Sequence, residues 1–455
     1  MRRRARLTAA IAAGVLLLVG LPPGTAMAGD TPFQTKKPPQ LVALADGVEI
    51  MAILTAGDVI GHGSRAYQMS GIPDGLGLYR SGPETVEVWM NHELDGDPAN
   101  ARVSHLTLNN DGAVIDAEYV IDGREKFKDF CSSTLEVING TPWYFTGEED
   151  NGSIHGGTSI AINAETGDWV ETRHFGLMLH ENVVPVQGIA EAVVFLAEDG
   201  RHNHNQIYVY VANSFKGAIA GRGQLTTWVP TEKTDGAPSN DDIGAGETLR
   251  GELVPISQRD NDTVTHLNAA AEALGAFNFV RVEDAVADPN HPGVVYFAET
   301  GAARSESYKG RIFKLRFDAA DPTKATLSVV LDGDAGDDMF NPDNLGITAR
   351  TLMIQEDRNY AHSGYARVLA YDLSDGTLTP VARTDPKPIA IERDGGPGAW
   401  ESSGVVDASA LFGPGWWLLD VQDDKYFVSY PGPSLRVDSA EGEGGQLLAM
   451  FVPGT

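Results

Sequence analysis

The chain has a single cysteine, Cys131, among its 455 residues. That excludes an internal disulfide framework and leaves core burial, with bound ions as a further source of rigidity, to hold the fold. Basic residues are scarce too: 34 Lys and Arg stand against 63 Asp and Glu, for a formal net charge of −29. A field of that sign repels phosphate backbones and anionic lipid, which disfavours nucleic acid and anionic membranes as partners. Beyond Leu21 no apolar run is long enough to span a bilayer. Familiar catalytic signatures are missing as well. There is no G-x-S-x-G elbow, no phosphate-binding G-x-x-x-x-G-K-[S/T], no dinucleotide fingerprint, no H-E-x-x-H and no C-x-x-C. Gly152, Gly156-Gly157 and Gly444-Gly445 read as turns.

What is present begins with Arg2, Arg3, Arg4 and Arg6, an apolar stretch from Leu7 to Leu21, and Ala26-Met27-Ala28. This order is that of a secretory signal peptide over residues 1–28, so the expected mature protein is exported, without a membrane span, and monomeric. Residues 29–455 show no linker that would divide them and are expected to form one domain. Short strands rich in Val, Tyr, Phe and Trp recur at Val86–Met90, Trp143–Thr146, Val193–Ala197, Ile207–Val211, Val294–Ala298, Thr351–Ile354 and Trp416–Leu419. Helical periodicity is confined to Val264–Ala276, which closes a polar insertion beginning near Pro230.

Acids sit at the ends of the apolar runs: Glu93, Glu149, Glu198, Glu299, Glu356 and Asp420. They recur roughly every 50–60 residues, with one interval about doubled by the insertion, which is the period of propeller blades. The fold expected is therefore all-β, a β-propeller of six or seven blades with a small helical insertion; a β-sandwich is the alternative. In a propeller the innermost strands surround one channel, and residues far apart in sequence meet on its axis.

Such convergence would gather Asn91, Glu93, Cys131, Glu148 or Glu149, Glu181, Glu198 or Asp199, Glu283, Asp343 and, from a fifth related pair, Glu401. That many carboxylates cannot all ionise side by side without cations. Oxygen donors suit calcium, and a thiolate invites a softer ion such as iron or zinc. Taken singly, Cys131 also reads as a small buried apolar residue, and each glutamate as a capping or solvated group. Arg281 lies two residues before Glu283; beside a metal cluster its guanidinium would grip a phosphoryl oxygen, or it simply pairs with the acid. His92 and His180 precede candidate ligands and should turn away from them.

N-H-E at 91–93, C-S-S at 131 followed by T-P-W and G-E-E-D, H-E at 180, R-V-E-D at 281 and P-D-N at 342 together resemble the motifs of PhoX-type alkaline phosphatases. The resemblance implies a secreted β-propeller that hydrolyses phosphate monoesters at an axial site holding iron and calcium. Carried over by position, Cys131, Glu181 and Glu283 would hold iron, Asn91, Glu93, Glu148 and Glu149 would lie nearer calcium, and Arg281 would contact phosphate. The attack expected is by a metal-bridged water or oxide, with Arg281, Cys131 and Glu283 as the catalytic set. Ser132-Ser133-Thr134-Leu135 departs from the glycines usual after C-S in that family, and the leader lacks a full twin-arginine motif. Two other readings remain: a calcium-dependent lactonase or esterase propeller, which does not call for a thiolate, and a non-catalytic propeller stabilised by calcium.

Overall fold

The computed structural model describes residues 32–455 apart from 63–65, 97–98, 190–191, 201–204, 233–236, 258–262, 303–304, 306, 358–363, 386–399 and 424–443. The expected leader at 1–28 lies outside the described residues. Among those described, antiparallel strands form six blades around a common axis. Blade 1 runs Pro73–Arg80, Thr85–His92, Arg102–Asn109 and Val114–Asp122; blade 2 runs Phe130–Ile138, Thr141–Glu148, Ser159–Asn163 and Trp169–Glu171. Blade 3 is His180–Val186, Ala192–Glu198, Tyr208–Ala212 and Gly223–Pro230, and blade 4 is Val282–Ala287, Val294–Glu299, Arg311–Phe317 and Lys324–Asp332. Blade 5 is Pro342–Ile347, Thr351–Glu356, Arg367–Asp372 and Leu378–Thr384, and blade 6 is Trp400–Asp407, Trp416–Asp423 and Gly444–Phe451. The first strand of each blade is innermost. Each packs on the next, and Trp400–Asp407 packs on Pro73–Arg80 to complete the ring.

The N-terminal part of the described chain fastens that ring. Glu49–Thr55 pairs with Gly444–Phe451 as the outer strand of blade 6, and Leu41–Ala43 adds to the edge of blade 5. Joining the last blade to a strand from the start of the chain removes a free seam without any covalent link, consistent with a chain that has no disulfide.

Six apolar clusters fill the spaces between neighbouring blades. Between blades 3 and 4, Phe297 stacks on Phe313 with ring centroids 5.2 Å apart and meets Phe195 at 5.4 Å. Each such buried ring contributes about 1.5–3 kcal/mol relative to exposure. The helix over Val264–Leu274 lies where periodicity places it, with Leu267 and Ala271 buried against the blade 2–blade 3 cluster. The polar stretch ahead of it holds an element that its composition hides. Thr248–Pro255 is a strand that pairs with blade 3 on one side and blade 4 on the other, joining them into one nine-stranded sheet. Gly251 lies so close to the Trp228 indole that a β-carbon there would sit 2.3 Å from the ring, so only glycine fits.

One irregularity recurs and aims the site. In blades 1 to 5 the second and third residues of the inner strand oppose a single residue of the next strand. A bulge of this kind breaks strict alternation, so two successive side chains, rather than every other one, can serve the axis. The residue just ahead of the inner strand is left-handed in blades 1, 2, 4 and 5: Ile72 (φ 35°), Asp129 (φ 45°), Arg281 (φ 59°) and Asn341 (φ 48°). For the β-branched Ile72 this is strained, at a cost of order 1–3 kcal/mol.

Candidate metal centre

The second residue of every inner strand is Asp74, Cys131, Glu181, Glu283, Asp343 and Glu401, in blade order. A second tier comes from the residue that follows the second strand: Glu93, Glu149 and Asp357. The turn holds each in place, since Glu93 N–H donates to Ile72 O at 3.0 Å, Glu149 N–H to Asp129 O at 2.8 Å and Asp357 N–H to Asn341 O at 2.9 Å. These nine residues form four overlapping groups, each with donor atoms within 4.8 Å of one another: Asp74, Glu93 and Cys131; Cys131, Glu149 and Glu181; Glu181, Glu283 and Asp343; and Asp343, Asp357 and Glu401. Shared corners make them one continuous belt of eight carboxylates and a thiol.

Beneath the belt a polar layer orients it. Ser132 donates to Glu181 Oε1 at 2.5 Å, and Asn344 Nδ2 donates to Ser132 Oγ at 2.8 Å and to Asp74 Oδ1 at 3.0 Å. Gln422 Nε2 donates to Glu93 Oε2 at 2.7 Å and Asp74 Oδ2 at 3.1 Å. The Cys131 thiol points at Asp74 Oδ2, 3.2 Å away. One level down, Asp284 accepts from Asn182 Nδ2 and from Leu345 N–H, which ties blades 3, 4 and 5 together across the channel.

Burial sets the electrostatics. It pushes the Cys131 thiol and the Glu181, Glu283 and Asp343 carboxyls well above their ordinary values, and neighbouring acids push further in the same direction. Arg281 opposes the rise at Glu283, to which its Nη2 pairs at 2.9 Å. Without cations the belt therefore holds protons that acids of this type normally lose. Glu181 Oε2 and Asp343 Oδ1 are buried and lack hydrogen-bond partners among the described residues. Open carboxylate oxygens beside a thiol, arranged in groups of three, are what a mixed set of hard and softer cations requires, and the residues present fit such ions.

Of the residues expected from sequence, the belt brings together Glu93, Cys131, Glu149, Glu181, Glu283, Asp343 and Glu401. It does not include Asn91 or Glu148. Asn91 spends its amide on the fold: Nδ2 donates to Cys131 O at 2.5 Å and Thr146 Oγ1 at 2.7 Å, while Oδ1 accepts from Tyr144 at 2.8 Å. Glu148 faces the other way, accepting from Lys128 N–H at 2.9 Å, Gly157 N–H at 3.1 Å and Thr158 N–H at 3.3 Å. Glu299 and Glu356 do the same in blades 4 and 5, taking the backbone N–H of Val280 and of Phe340. The cause is alternation, because the last residue of the second strand points away from the axis and its successor points in. Glu198 holds the same last place in blade 3, while Asp420 lies deeper, opposite Ser403.

Arg281 precedes its strand and stands in a left-handed turn, where strand alternation does not govern it, yet it reaches Glu283 as noted and Asp199 Oδ2 through Nε at 3.0 Å and Nη2 at 2.8 Å. His92 and His180 turn away, bonded to Gly71 O and Gly176 O, and burial lowers them to about 3 and about 4.

Asp74 and Asp357 were not anticipated, while Asp199, expected as the alternative to Glu198, sits against Arg281 and outside the belt. The sequence carried a signal for the first: Pro73-Asp74-Gly75-Leu76-Gly77 repeats the pattern of Pro342-Asp343-Asn344-Leu345-Gly346. Asp357 follows Glu356, and Asp199 follows Glu198, as Glu149 follows Glu148.

The family model described as alkaline phosphatase PhoX matches residues 163–395. No curated protein matches the chain. Among solved structures, an α-L-arabinanase from Penicillium chrysogenum is similar at 9% identity and a TM-score of 0.42, covering 90% of this chain and 98% of its own. The β-propeller domain of the Trilobed protease from Pyrococcus furiosus is similar at 8% identity and a TM-score of 0.32, covering 78% and 91%. An α-L-arabinofuranosidase from Fusarium graminearum is similar at 8% identity and a TM-score of 0.40, covering 83% and 92%.

Proposed function

The chain belongs to the alkaline phosphatase PhoX family, and from that premise we propose that it hydrolyses phosphate monoesters at the mouth of the axial channel. The observation that carries the proposal is the belt itself, in which all six blades contribute an acid or the thiol at the same position of the inner strand. A surface of this charge repels a phosphate ester, so cations are needed for binding as well as for chemistry.

Calcium and iron are the ions proposed, bound in these acidic groups. Cys131, Glu181 and Glu283 would hold the softer ion, while Asp74, Glu93, Glu149, Asp343, Asp357 and Glu401 offer oxygen alone and suit calcium. Cations bound there supply Lewis acidity to phosphate and water oxygens. The chain's own contribution is to position. Ser132 and Gln422 fix the orientation of Glu181 and Glu93, and the buried walls exclude bulk water. Arg281 would offer a planar guanidinium to the equatorial oxygens of phosphate as charge develops on them. Glu283 holds both a metal-ligand place and that arginine, linking the two.

Export belongs to the same reading, carried by the leader pattern at 1–28. Among the described residues no helix is long and apolar enough to cross a membrane.

The test pairs elemental analysis of the purified protein with turnover of p-nitrophenyl phosphate. Cys131→Ser should lose the transition metal while retaining calcium, and turnover should fall by about 100-fold or more, at or beyond the upper end of what disturbed metal surroundings usually cost. Full turnover by C131S would refute the mechanism. Lactone hydrolysis supported by calcium alone, with no cleavage of the phosphate ester, would favour the lactonase reading.

A further inference from the structure

The residue that follows the second strand is Glu93 in blade 1, Glu149 in blade 2, Asp199 in blade 3, Thr300 in blade 4 and Asp357 in blade 5. All five use their N–H in the same way, with Asp199 donating to Leu179 O at 3.1 Å and Thr300 to Arg281 O at 3.0 Å. Glu93, Glu149 and Asp357 belong to the belt, but Asp199, in the equivalent place, does not. A guanidinium stands there instead.

Asp199 is fully buried, and its Oδ2 accepts from Nε of Arg281 at 3.0 Å and from Nη2 at 2.8 Å. Two donors from one planar group onto one oxygen fix the plane of the guanidinium as well as its position. The backbone is held independently, because the Arg281 N–H donates to Asn205 Oδ1 at 3.0 Å while φ stays at 59°. Nη2 is further engaged with Glu283 Oε1 at 2.9 Å. Among the described residues Nη1 has no partner, and the side chain keeps 23% of its surface exposed. The arginine is thus clamped along one edge and open along the other.

We propose that Asp199 is the positioning residue for phosphate recognition: its ring position, given to cation ligands in three other blades, is used in blade 3 to hold Arg281 so that the free Nη1 edge faces the phosphoryl group. This rests on the phosphatase reading above. Simple charge counting gives the opposite expectation, since deleting an acid beside a phosphate site should strengthen phosphate binding. The two views therefore differ in sign.

The experiment compares metal-loaded wild type, Asp199→Asn, Arg281→Ala and the double variant. The readouts are KM and kcat for p-nitrophenyl phosphate, calorimetric binding of inorganic phosphate and elemental analysis. D199N should raise both KM and the dissociation constant of inorganic phosphate about tenfold, the loss of roughly one charge-assisted hydrogen bond, with metal content unchanged. In the R281A background the same change should have no further effect. Should D199N fold poorly, D199S supplies the same comparison with a smaller acceptor.

Phosphate affinity that is unchanged or tighter in D199N overturns the proposal, as does an equal loss in the R281A background. Loss of metal in D199N also overturns it, because Asp199 would then serve the ions directly. A wild type that cleaves the ester and binds phosphate while D199N matches it sinks this inference alone. A wild type that does neither sinks the phosphatase reading with it.

Discussion

Removing cations should make the fold sensitive to alkali, and the size of the effect follows from the belt. Donor atoms within each group lie within 4.8 Å of one another. Two unit charges at that separation repel by about 3.5 kcal/mol at an effective dielectric of 20. Ionising neighbouring acids together is therefore disfavoured, and burial adds to the penalty at Glu181, Glu283 and Asp343, whose folded values are raised well above the ordinary ones. A raised carboxyl favours the fold fully below its unfolded value and loses that contribution as pH climbs through the folded value. The chelated protein should accordingly melt at progressively lower temperature as pH rises from about 5 to 9. Cations reverse this by supplying the missing positive charge. At a hundredfold excess over Kd each site contributes about 2.7 kcal/mol, so two sites raise the melting temperature on the order of 5 °C for a chain of 455 residues. Thermal melts followed by circular dichroism at pH 5.5 and 9, with chelator or with excess calcium, provide the assay. Equal melting temperatures with chelator and with calcium at pH 9 would refute the reasoning, as would a chelated protein that gains stability with alkali.

Two further outcomes separate the residues that serve the fold from those that serve the belt. Glu148→Ala should destabilise by about 2–3 kcal/mol, because three backbone N–H groups lose their acceptor, yet leave the ratio of metal to protein unchanged; denaturant melts with elemental analysis check it, and loss of metal would return Glu148 to the ligands. His92 and His180 are neutral in the fold, lowered by burial to about 3 and about 4. A lowered histidine supports the fold above its unfolded value of about 6.5 and loses that support as pH falls toward the folded value, so His92→Gln should flatten the decline in stability between about pH 6.5 and 4. An unchanged acid limb in H92Q would contradict that assignment.

The blades were legible from sequence because their second strands are buried on both faces. Runs such as Val193–Ala197 and Val294–Ala298 sit wholly between neighbours, so they read as continuous β-branched and aromatic segments. The inner strands were not legible for the opposite reason. Pro73-Asp74-Gly75-Leu76-Gly77 and Trp400-Glu401-Ser402-Ser403-Gly404 line a polar channel, and their glycines answer to close backbone approach rather than to turns. A β-carbon on Gly75 would lie 2.5 Å from Ser133 N. Six blades rather than seven also follows from contacts that composition does not record, chiefly the return of Glu49–Thr55 to blade 6.

The site was half legible, and the boundary between the halves is physical. Cys131, Glu181, Glu283 and Asp343 were found because each opens a recurring motif, but where two acids stand side by side at the ends of the second strands the choice stayed open at 148–149 and 198–199 and fell one residue short at Glu356-Asp357. In Glu148-Glu149 and Glu356-Asp357 the first acid staples the backbone behind the strand and the second faces the axis. Alternation alone could have told the two apart, given the register of the strand, and register is fixed by the bulge that the inner strand carries. The bulge thus decides which carboxylate of each pair meets the axis. Inserting one residue between Thr146 and Glu148 would exchange the staple for the ligand while leaving both acids in the chain.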